Sequence, residues 1–421
     1  MSAAASDFEA AGAPSLLDVL GRAPAAAALV VGALSSEERQ ALRLVCTQTR
    51  DAVGEATTKI VMRLYVPAAA AAAAARPPAS RRWPRLEELM ILCTSSALAA
   101  VIEAVGAETW GHLHKLELGL AFIDSRGKST TLGVPCVQAV TAALRRMPAL
   151  RALTLNGTRL SDEASEALFH PSSGVPQLRA FTFSLSRLSP AAARALAATG
   201  WRLEELDLQD NPTLGPAGIA ALVAAPTFAI RRLKMDYCRL DATALLAVAN
   251  SPWPLEELDL SHNDFRAAAA GPALAAHSTR ARLRKLDVSY CRLSAASFKA
   301  LVEAAWPALT HLDARKASVK FDGPDALGAA AFEGFPALEE LDLSEVKLRE
   351  AGAQLLAARR WARIKKLNLN DTRLGDAGVA ALARGAWPAL EVLDLRNNSL
   401  GAPLALDNAR RWAPALVQLL Q

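Results

Sequence analysis

Residues 255–265 read LEELDLSHNDF, and this stretch decides the fold. Counted from Leu255, apolar residues stand at positions 1, 4, 6 and 11, and an amide, Asn263, stands at position 9. Across Leu258-Asp259-Leu260 the apolar residues alternate with a polar one, which is the period of a short strand with one wet face. The same frame returns in phase as LRKLDVSYCRL from Leu283, LEELDLSEVKL from Leu338, IKKLNLNDTRL from Ile364 and LEVLDLRNNSL from Leu390. Weaker copies open at Leu86, Leu113, Leu150, Leu178, Leu203, Ile230 and Leu309, making about twelve, and WAPALVQLL near the C-terminus begins another.

The second half of each copy reads as a helix. In LGDAGVAALARG from Leu374, Asp376 is a candidate cap, and Val379, Leu382 and Ala383 follow at helical spacing. Ser189 before Pro190 and Asp241 before Ala-Thr-Ala-Leu-Leu repeat the signal. Each copy is therefore expected to be strand, turn, helix. Parallel strands stack about 4.8 Å apart and helices about 8 to 10 Å, so such an array bends with its strands inside. The separations of 28 residues from Leu255 to Leu283 and 26 from Ile364 to Leu390 fit a leucine-rich repeat.

The pattern resembles the leucine-rich repeat family, and its long helical repeat most resembles the ribonuclease-inhibitor-like subclass, from Trp83 to the end. The resemblance implies an α/β solenoid, a horseshoe with parallel strands on the concave face and helices on the convex one. It also implies binding of a protein through the concave face. The interval from Leu113 to Leu150 is 37 residues, and the surplus is assigned to a rim loop at Asp124 to Val134.

Composition narrows the class. With 52% hydrophobic residues among 421, disorder is excluded, and a net charge of +5 is too slight to imply nucleic acid. Cys46, Cys93, Cys136, Cys238 and Cys291 form no Cys-x-x-Cys pair and have no His at metal-ligand spacing, so no metal, disulfide scaffold or cofactor is expected. Asp7, Glu9 and Asp18 argue against a signal or transit peptide, and the apolar run from Ala23 to Leu34 is too short to span a bilayer. The expected setting is cytoplasmic or nuclear, with reduced thiols.

Upstream of the repeats, residues 1–66 read as a small helical segment, with one helix at Ala23–Leu34 and a second at Ser36–Val53, followed by an Ala/Pro/Arg linker at 67–82. LSSEERQALRLVCTQTRDAV from Leu34 resembles the second half of an F-box, through Leu34, Ser35, Glu37, Glu38, Leu42, Arg43, Val45, Cys46 and Arg50. Pro24 falls near the place of the family's opening Leu-Pro, but Ala23 replaces the Leu and the acidic residue after it is absent. The resemblance implies that Pro24, Leu34, Leu42, Val45 and Cys46 bind the adaptor of an SCF-type ubiquitin ligase. The other reading of the segment is a helical cap over the open edge of the solenoid.

Within the repeats most conspicuous residues have architectural readings. All eight tryptophans fall two to four residues before an opening and are expected to pack the helix-to-strand turn. Cys238 and Cys291, at position 9, are expected to bond the turn backbone. Position 5 carries an acidic ladder through Asp207, Asp259, Asp287, Asp313, Asp342 and Asp394, and position 10 a basic one through Arg159, Arg187, Arg239, Arg292, Lys347 and Arg373. No catalytic constellation stands out, so no enzyme is expected. Position 8 holds Tyr237, His262 and Tyr290 in three consecutive copies, with Arg315 and Lys316 extending the surface by one more. These five are the candidate protein-binding residues, since exposed aromatics anchor interfaces. The favoured expectation is a substrate receptor for ubiquitin ligation. The alternatives are a cytoskeletal or axonemal repeat scaffold or sensor, or a GTPase regulator of the ribonuclease-inhibitor-like type.

Overall fold

The computed structural model describes residues 44–48, 59–64, 86–93, 109–120, 131–170, 175, 177–267, 269–275, 280–317, 327–328, 330–401, 404 and 406–421. The chain divides into two compact units, residues 1–203 with 225–227, and residues 204–224 with 228–421.

In the second unit the described strands are Glu205–Asp207, Arg232–Lys234, Glu257–Asp259, Lys285–Asp287, His311–Asp313, Glu340–Asp342, Lys366–Asn368, Val392–Asp394 and Gln418–Leu420. They lie side by side in chain order, all parallel, as an open sheet. The register pairs like with like, so Leu233, Leu258, Leu286, Leu312, Leu341, Leu367 and Leu393 form one continuous row. None of them is more than 2% exposed. A slip of one residue would turn the whole row to water, which is why the leucine pattern specifies the register so firmly.

A helix follows most strands, for example Ala242–Ala249, Ala295–Glu303 and Arg349–Ala357. Small residues let neighbouring helices approach closely: a β-carbon on Gly271 would sit 2.1 Å from the Ser297 carbonyl oxygen. The expected caps hold at Ser189, which accepts from the Ala192 N–H, and at Asp241, which accepts from Thr243 and Ala244. Asp376 behaves differently. Gly375 takes a φ of +61° and already begins the helix Gly375–Leu382, so Asp376 lies in its first turn and accepts from the Gly401 N–H of the next repeat.

The tryptophans sit where the register placed them. Trp306, Trp361 and Trp387 are buried at the helix-to-strand turn, and their indole N–H groups donate to Leu301, Leu356 and Leu382 carbonyls at 2.8–3.0 Å. Each closes one of the carbonyls that a helix end leaves open. Trp201 and Trp253 are buried too, whereas Trp83 lies outside the described residues.

The first unit repeats this plan with parallel strands Lys59–Leu64, Glu88–Cys93, Lys115–Leu120, Ala152–Asn156 and Ala180–Thr182. Its core is more aromatic, with Phe169, Phe181, Phe183 and Trp201 in mutual ring contact at 5.3–6.1 Å. The stretch 1–66 departs from the helical reading wherever it is described. Leu44–Gln48 is a strand antiparallel to Lys59–Leu64, which itself continues the parallel sheet. Val45 and Cys46 therefore lie on a strand and not on the second helix. Ile60 is in register with Leu89, so it occupies position 4 of a further strand whose position 1 is Thr57. Pairing with a neighbouring strand outweighs local helical preference there. Pro24, Leu34 and Leu42, the helix at Ala23–Leu34 and the linker lie outside the described residues.

The surplus between Leu113 and Leu150 ends in structure of its own. Thr131–Leu132 pairs with Arg159–Leu160, and Val134 opens the helix Val134–Leu144, while residues 124–130 lie outside the described ones.

Truncating Leu258, which is 2% exposed between Leu233 and Leu286, should cost about 2 to 5 kcal/mol. Because each repeat is held by its neighbours, amide exchange in Leu258→Ala should also quicken in Arg232–Lys234 and Lys285–Asp287. Unchanged protection in both strands would contradict this coupling.

Candidate protein-docking face

In the 204–421 unit strands such as Glu205–Asp207, Glu257–Asp259, His311–Asp313 and Glu340–Asp342 bury their middle leucine and turn positions 3 and 5 the other way. The position-5 side chains are the acidic ladder, and each has a local task. An Oδ1 atom accepts the backbone N–H two residues on, in Asp207, Asp259, Asp287, Asp313, Asp342 and Asp394, at 2.8–3.2 Å. Asn368 does the same for Asn370 at 3.1 Å. These are turns closed by an acidic or amide side chain, so the ladder is first of all a fastening for the strand ends.

The charges left over are treated unequally along the face. At one end Arg315 Nη2 donates to Asp313 at 3.0 Å and to Asp342 of the next repeat at 3.1 Å, and Arg396 holds Asp394 through several bonds of 2.6–3.1 Å. At the other end position 7 is filled by Gln209, Asp236, Ser261 and Ser289, and among the described residues Asp236, Asp259 and Asp287 make no ion pair. Burial, then the neighbouring Asp259, push the Asp236 carboxyl up to about 6. Burial likewise raises Asp207 and Asp287. Asp313 is pushed up to about 7 by burial and by Asp287 and Asp342 on either side, against the pull of the Arg315 backbone and charge.

Beside this row runs position 8. Asp210, Tyr237, His262, Tyr290, Lys316, Glu345, Asp371 and Asn397 all take left-handed backbone, with φ between 52° and 60°. The three rings come together as the sequence placed them. His262 stacks on Tyr237 at 4.0 Å with 13° between planes, and on Tyr290 at 4.5 Å with 5°. The Tyr237 hydroxyl lies 3.2 Å from His262 Nε2, and the Tyr290 hydroxyl donates to Glu345 at 2.9 Å. Lys316 continues the ridge, its ammonium 5.2 Å from the Tyr290 ring centre and 3.1 Å from Glu345. The hydroxyl bond to Glu345 raises the Tyr290 phenol and lowers the Glu345 carboxyl. Arg315, one position earlier, bridges the carboxylates of Asp313 and Asp342 and also hydrogen-bonds the Tyr290 side chain.

The thiols of Cys238 and Cys291 are buried and donate to Leu208 and Leu260 carbonyls at 3.0 and 2.9 Å. Burial pushes Cys238 up to about 12 and moves Cys291 in the same direction, which suits a turn fastener and opposes a nucleophile. Among the described residues no His, Cys, Asp and Glu cluster is arranged to hold a metal, and no helix is long and apolar enough to cross a membrane.

Sequence reading passed over one feature of this face. Positions 2 and 3 alternate in sign from repeat to repeat, as in Glu-Glu at 204–205, Arg-Arg at 231–232 and Glu-Glu at 256–257. Parallel register sets them against each other, giving Arg231–Glu256, Arg232–Glu205, Lys365–Glu339 at 2.7 Å and Lys366–Glu340 at 2.7 Å. Aligning the repeats by charge as well as by leucine would have found it.

A family model described as Leucine Rich repeat matches residues 203–223 and 364–383. The fold is that of leucine-rich repeats. A ribonuclease inhibitor from Sus scrofa is 35% identical over 122 residues, which is 26% of this chain and 26% of that relative. The matched stretch thus spans about a quarter of the relative's length. A chain of the Rad7 and Elc1 complex in yeast shares the fold with a TM-score of 0.51 at 15% identity, covering 79% of this chain and 80% of that one. In these leucine-rich repeats the leucines account for the core, and positions 5, 7 and 8 for what the strand side presents.

The Asp313 carboxyl gives a pH test. Its folded value lies above its unfolded one, so its contribution is favourable while protonated and is lost as pH rises from about 4 through about 7. Asp313→Asn keeps the turn acceptor, as Asn368 shows, and removes the charge. Its advantage over wild type should grow across that window by up to about 4 kcal/mol, about 1.4 kcal/mol per pH unit, and level off above it. A pH-independent difference in calorimetric melting would contradict a charge penalty.

Proposed function

We propose that the chain is a non-catalytic recognition protein, and that its partner docks on the strand side of the 204–421 unit along the Tyr237–His262–Tyr290 ridge. The observation that carries this reading is the ridge itself. Three rings are locked in one stack, their hydroxyls are held, and Tyr237 remains 47% exposed at its end. A pre-ordered aromatic surface loses little freedom on binding, which is the character of an interface anchor. The neighbouring strand face supports recognition over catalysis, because its position-5 carboxylates accept turn bonds and its thiols are buried.

A ligase link is a second reading. It draws on the F-box-like residues from Leu34 and on the likeness to the yeast structure, in which Rad7 is in complex with Elc1. The adaptor contacts it assigns to Pro24, Leu34, Leu42, Val45 and Cys46 must accommodate a strand at Leu44–Gln48. Deleting 1–66 would also remove Lys59–Leu64 from the sheet, so Leu42→Asp in the full chain is the cleaner probe. If an adaptor co-purifies with the wild type, that change should abolish its recovery.

For the docking reading, partners recovered by affinity purification should bind Tyr237→Ala more weakly by at least about 2 kcal/mol. His262 keeps its stack on Tyr290 in that variant, so melting should change little. Gln354→Ala, on the helix Arg349–Ala357, serves as the control and should bind as wild type does. Equal affinity of wild type and Tyr237→Ala in calorimetry would move the site elsewhere.

A further inference from the structure

The two ends of the aromatic stack differ. At one end the outer face of Tyr290 carries the Lys316 ammonium, 5.2 Å from the ring centre, and that cation is paired with Glu345 at 3.1 Å. The chain thus supplies a cation, a ring face and a carboxylate together. At the other end His262 covers one face of Tyr237, and 47% of the residue is exposed. The place equivalent to Lys316, position 8 of the preceding repeat, holds Asp210, whose left-handed φ of 56° matches that of the rest of the ridge. Asp236 precedes Tyr237 in the chain, and its carbonyl accepts from the Asp210 N–H at 2.9 Å. Its Oδ1 is buried without a hydrogen-bond partner, and among the described residues neither acid makes an ion pair. Lys234, on the strand of the same repeat, acts on Asp207. This end therefore has the ring face and two carboxylates, and lacks the cation.

We infer that the open face of Tyr237, with Asp210 and Asp236, is a subsite for one cationic side chain, arginine or lysine, of a docking protein. The inference rests on the docking reading above and names the chemistry of its first contact. A cation over a tyrosine face is attracted by the ring's negative π-cloud, and its stem covers apolar ring surface. The two carboxylates, set against each other by the fold, are relieved by a positive charge between them. The whole chain carries a net charge of +5, so attraction of a cation here is a local property and not a consequence of overall charge. Arginine matches the site best, since its planar group stacks on the ring while donating sideways to a carboxylate.

The test uses the full chain and fluorescein-labelled octa-arginine, followed by anisotropy at about 50 mM salt. Wild type should bind, and Tyr237→Phe, which keeps the ring face and loses only the bond to His262, should bind within about twofold. Tyr237→Leu should weaken binding about fivefold or more, and the double change Asp210→Asn with Asp236→Asn about tenfold. Glu163→Gln with Glu350→Gln removes the same charge from exposed helix positions and should leave binding within about twofold. Thermal melts by circular dichroism establish that each variant is folded. Absence of wild-type binding, full binding by Tyr237→Leu, or an equal loss in the helix control would overturn the cation subsite. Should natural-partner capture depend on Tyr237 while octa-arginine ignores it, the docking reading stands and the subsite falls. The reverse pattern would leave the subsite and remove the docking reading.

Discussion

The strand side of this protein depends on one hydrogen bond repeated between copies, from the position-9 side chain to the position-6 carbonyl of the preceding repeat. Asn263 donates to Met235 at 2.8 Å, Cys238 to Leu208 at 3.0 Å, Cys291 to Leu260 at 2.9 Å and Asn398 to Leu369 at 2.7 Å. These carbonyls lie where water does not reach, so each bond left unmade would cost about 1 to 3 kcal/mol. The mixture of Asn with Cys and Thr at this position has a logic. Asn263 accepts from the Leu240 N–H in the Cys238 repeat, and Asn398 accepts from Thr372 and Leu374 in the Thr372 repeat. The Cys238 thiol donates to one repeat, and the amide of the next copy accepts the Leu240 N–H that follows it.

The turn that carries this bond has a fixed conformation, which it keeps even beside Ala317 and Val346, where Lys316 and Glu345 are left-handed too. Positions 8 and 10 are left-handed in repeat after repeat, as at Tyr237 and Arg239 or Tyr290 and Arg292, although none of these is glycine. Such backbone costs about 1 to 2 kcal/mol per residue in isolation, and it persists because the buried turn over-determines it. Strands about 4.8 Å apart then bring equivalent side chains to within ring-stacking distance without further adjustment. The 4.0 and 4.5 Å separations in the Tyr237–His262–Tyr290 ridge are this repeat spacing expressed in side chains.

The leucine row, the tryptophan turns and the buried cysteines were legible in the sequence because each repeats in phase, and a repeated environment demands a repeated residue. The ring patch was legible for the same reason. What escaped reading depended on partners outside the local pattern. Lys59–Leu64 carries Ile60 and Met62 at positions 4 and 6 but Thr57 at position 1, so only its pairing with Glu88–Cys93 reveals it as a strand. Asp376 looked like a cap, yet the left-handed Gly375 before it starts the helix early and frees the carboxylate for Gly401.

The same physics says where on this surface specificity can reside. Position 5 is constrained, because its side chain must accept the N–H two residues later, and Asp or Asn does so at nearly every strand. An acidic ladder at position 5 therefore carries little information about a partner. At position 7 the backbone N–H serves the turn, whereas the side chain is unconstrained, and it varies through Gln209, Asp236, Ser261, Ser289, Arg315, Ser344, Asn370 and Arg396. Arginine there neutralises the ladder from within, as at Arg315 and Arg396, and with Asp236, Ser261 and Ser289 in its place Asp259 and Asp287 make no ion pair among the described residues. Position 8 is constrained in backbone but not in side chain, and it is where the rings stand. Recognition by such a repeat is thus written at positions 7 and 8, immediately before the buried bond that holds them in place.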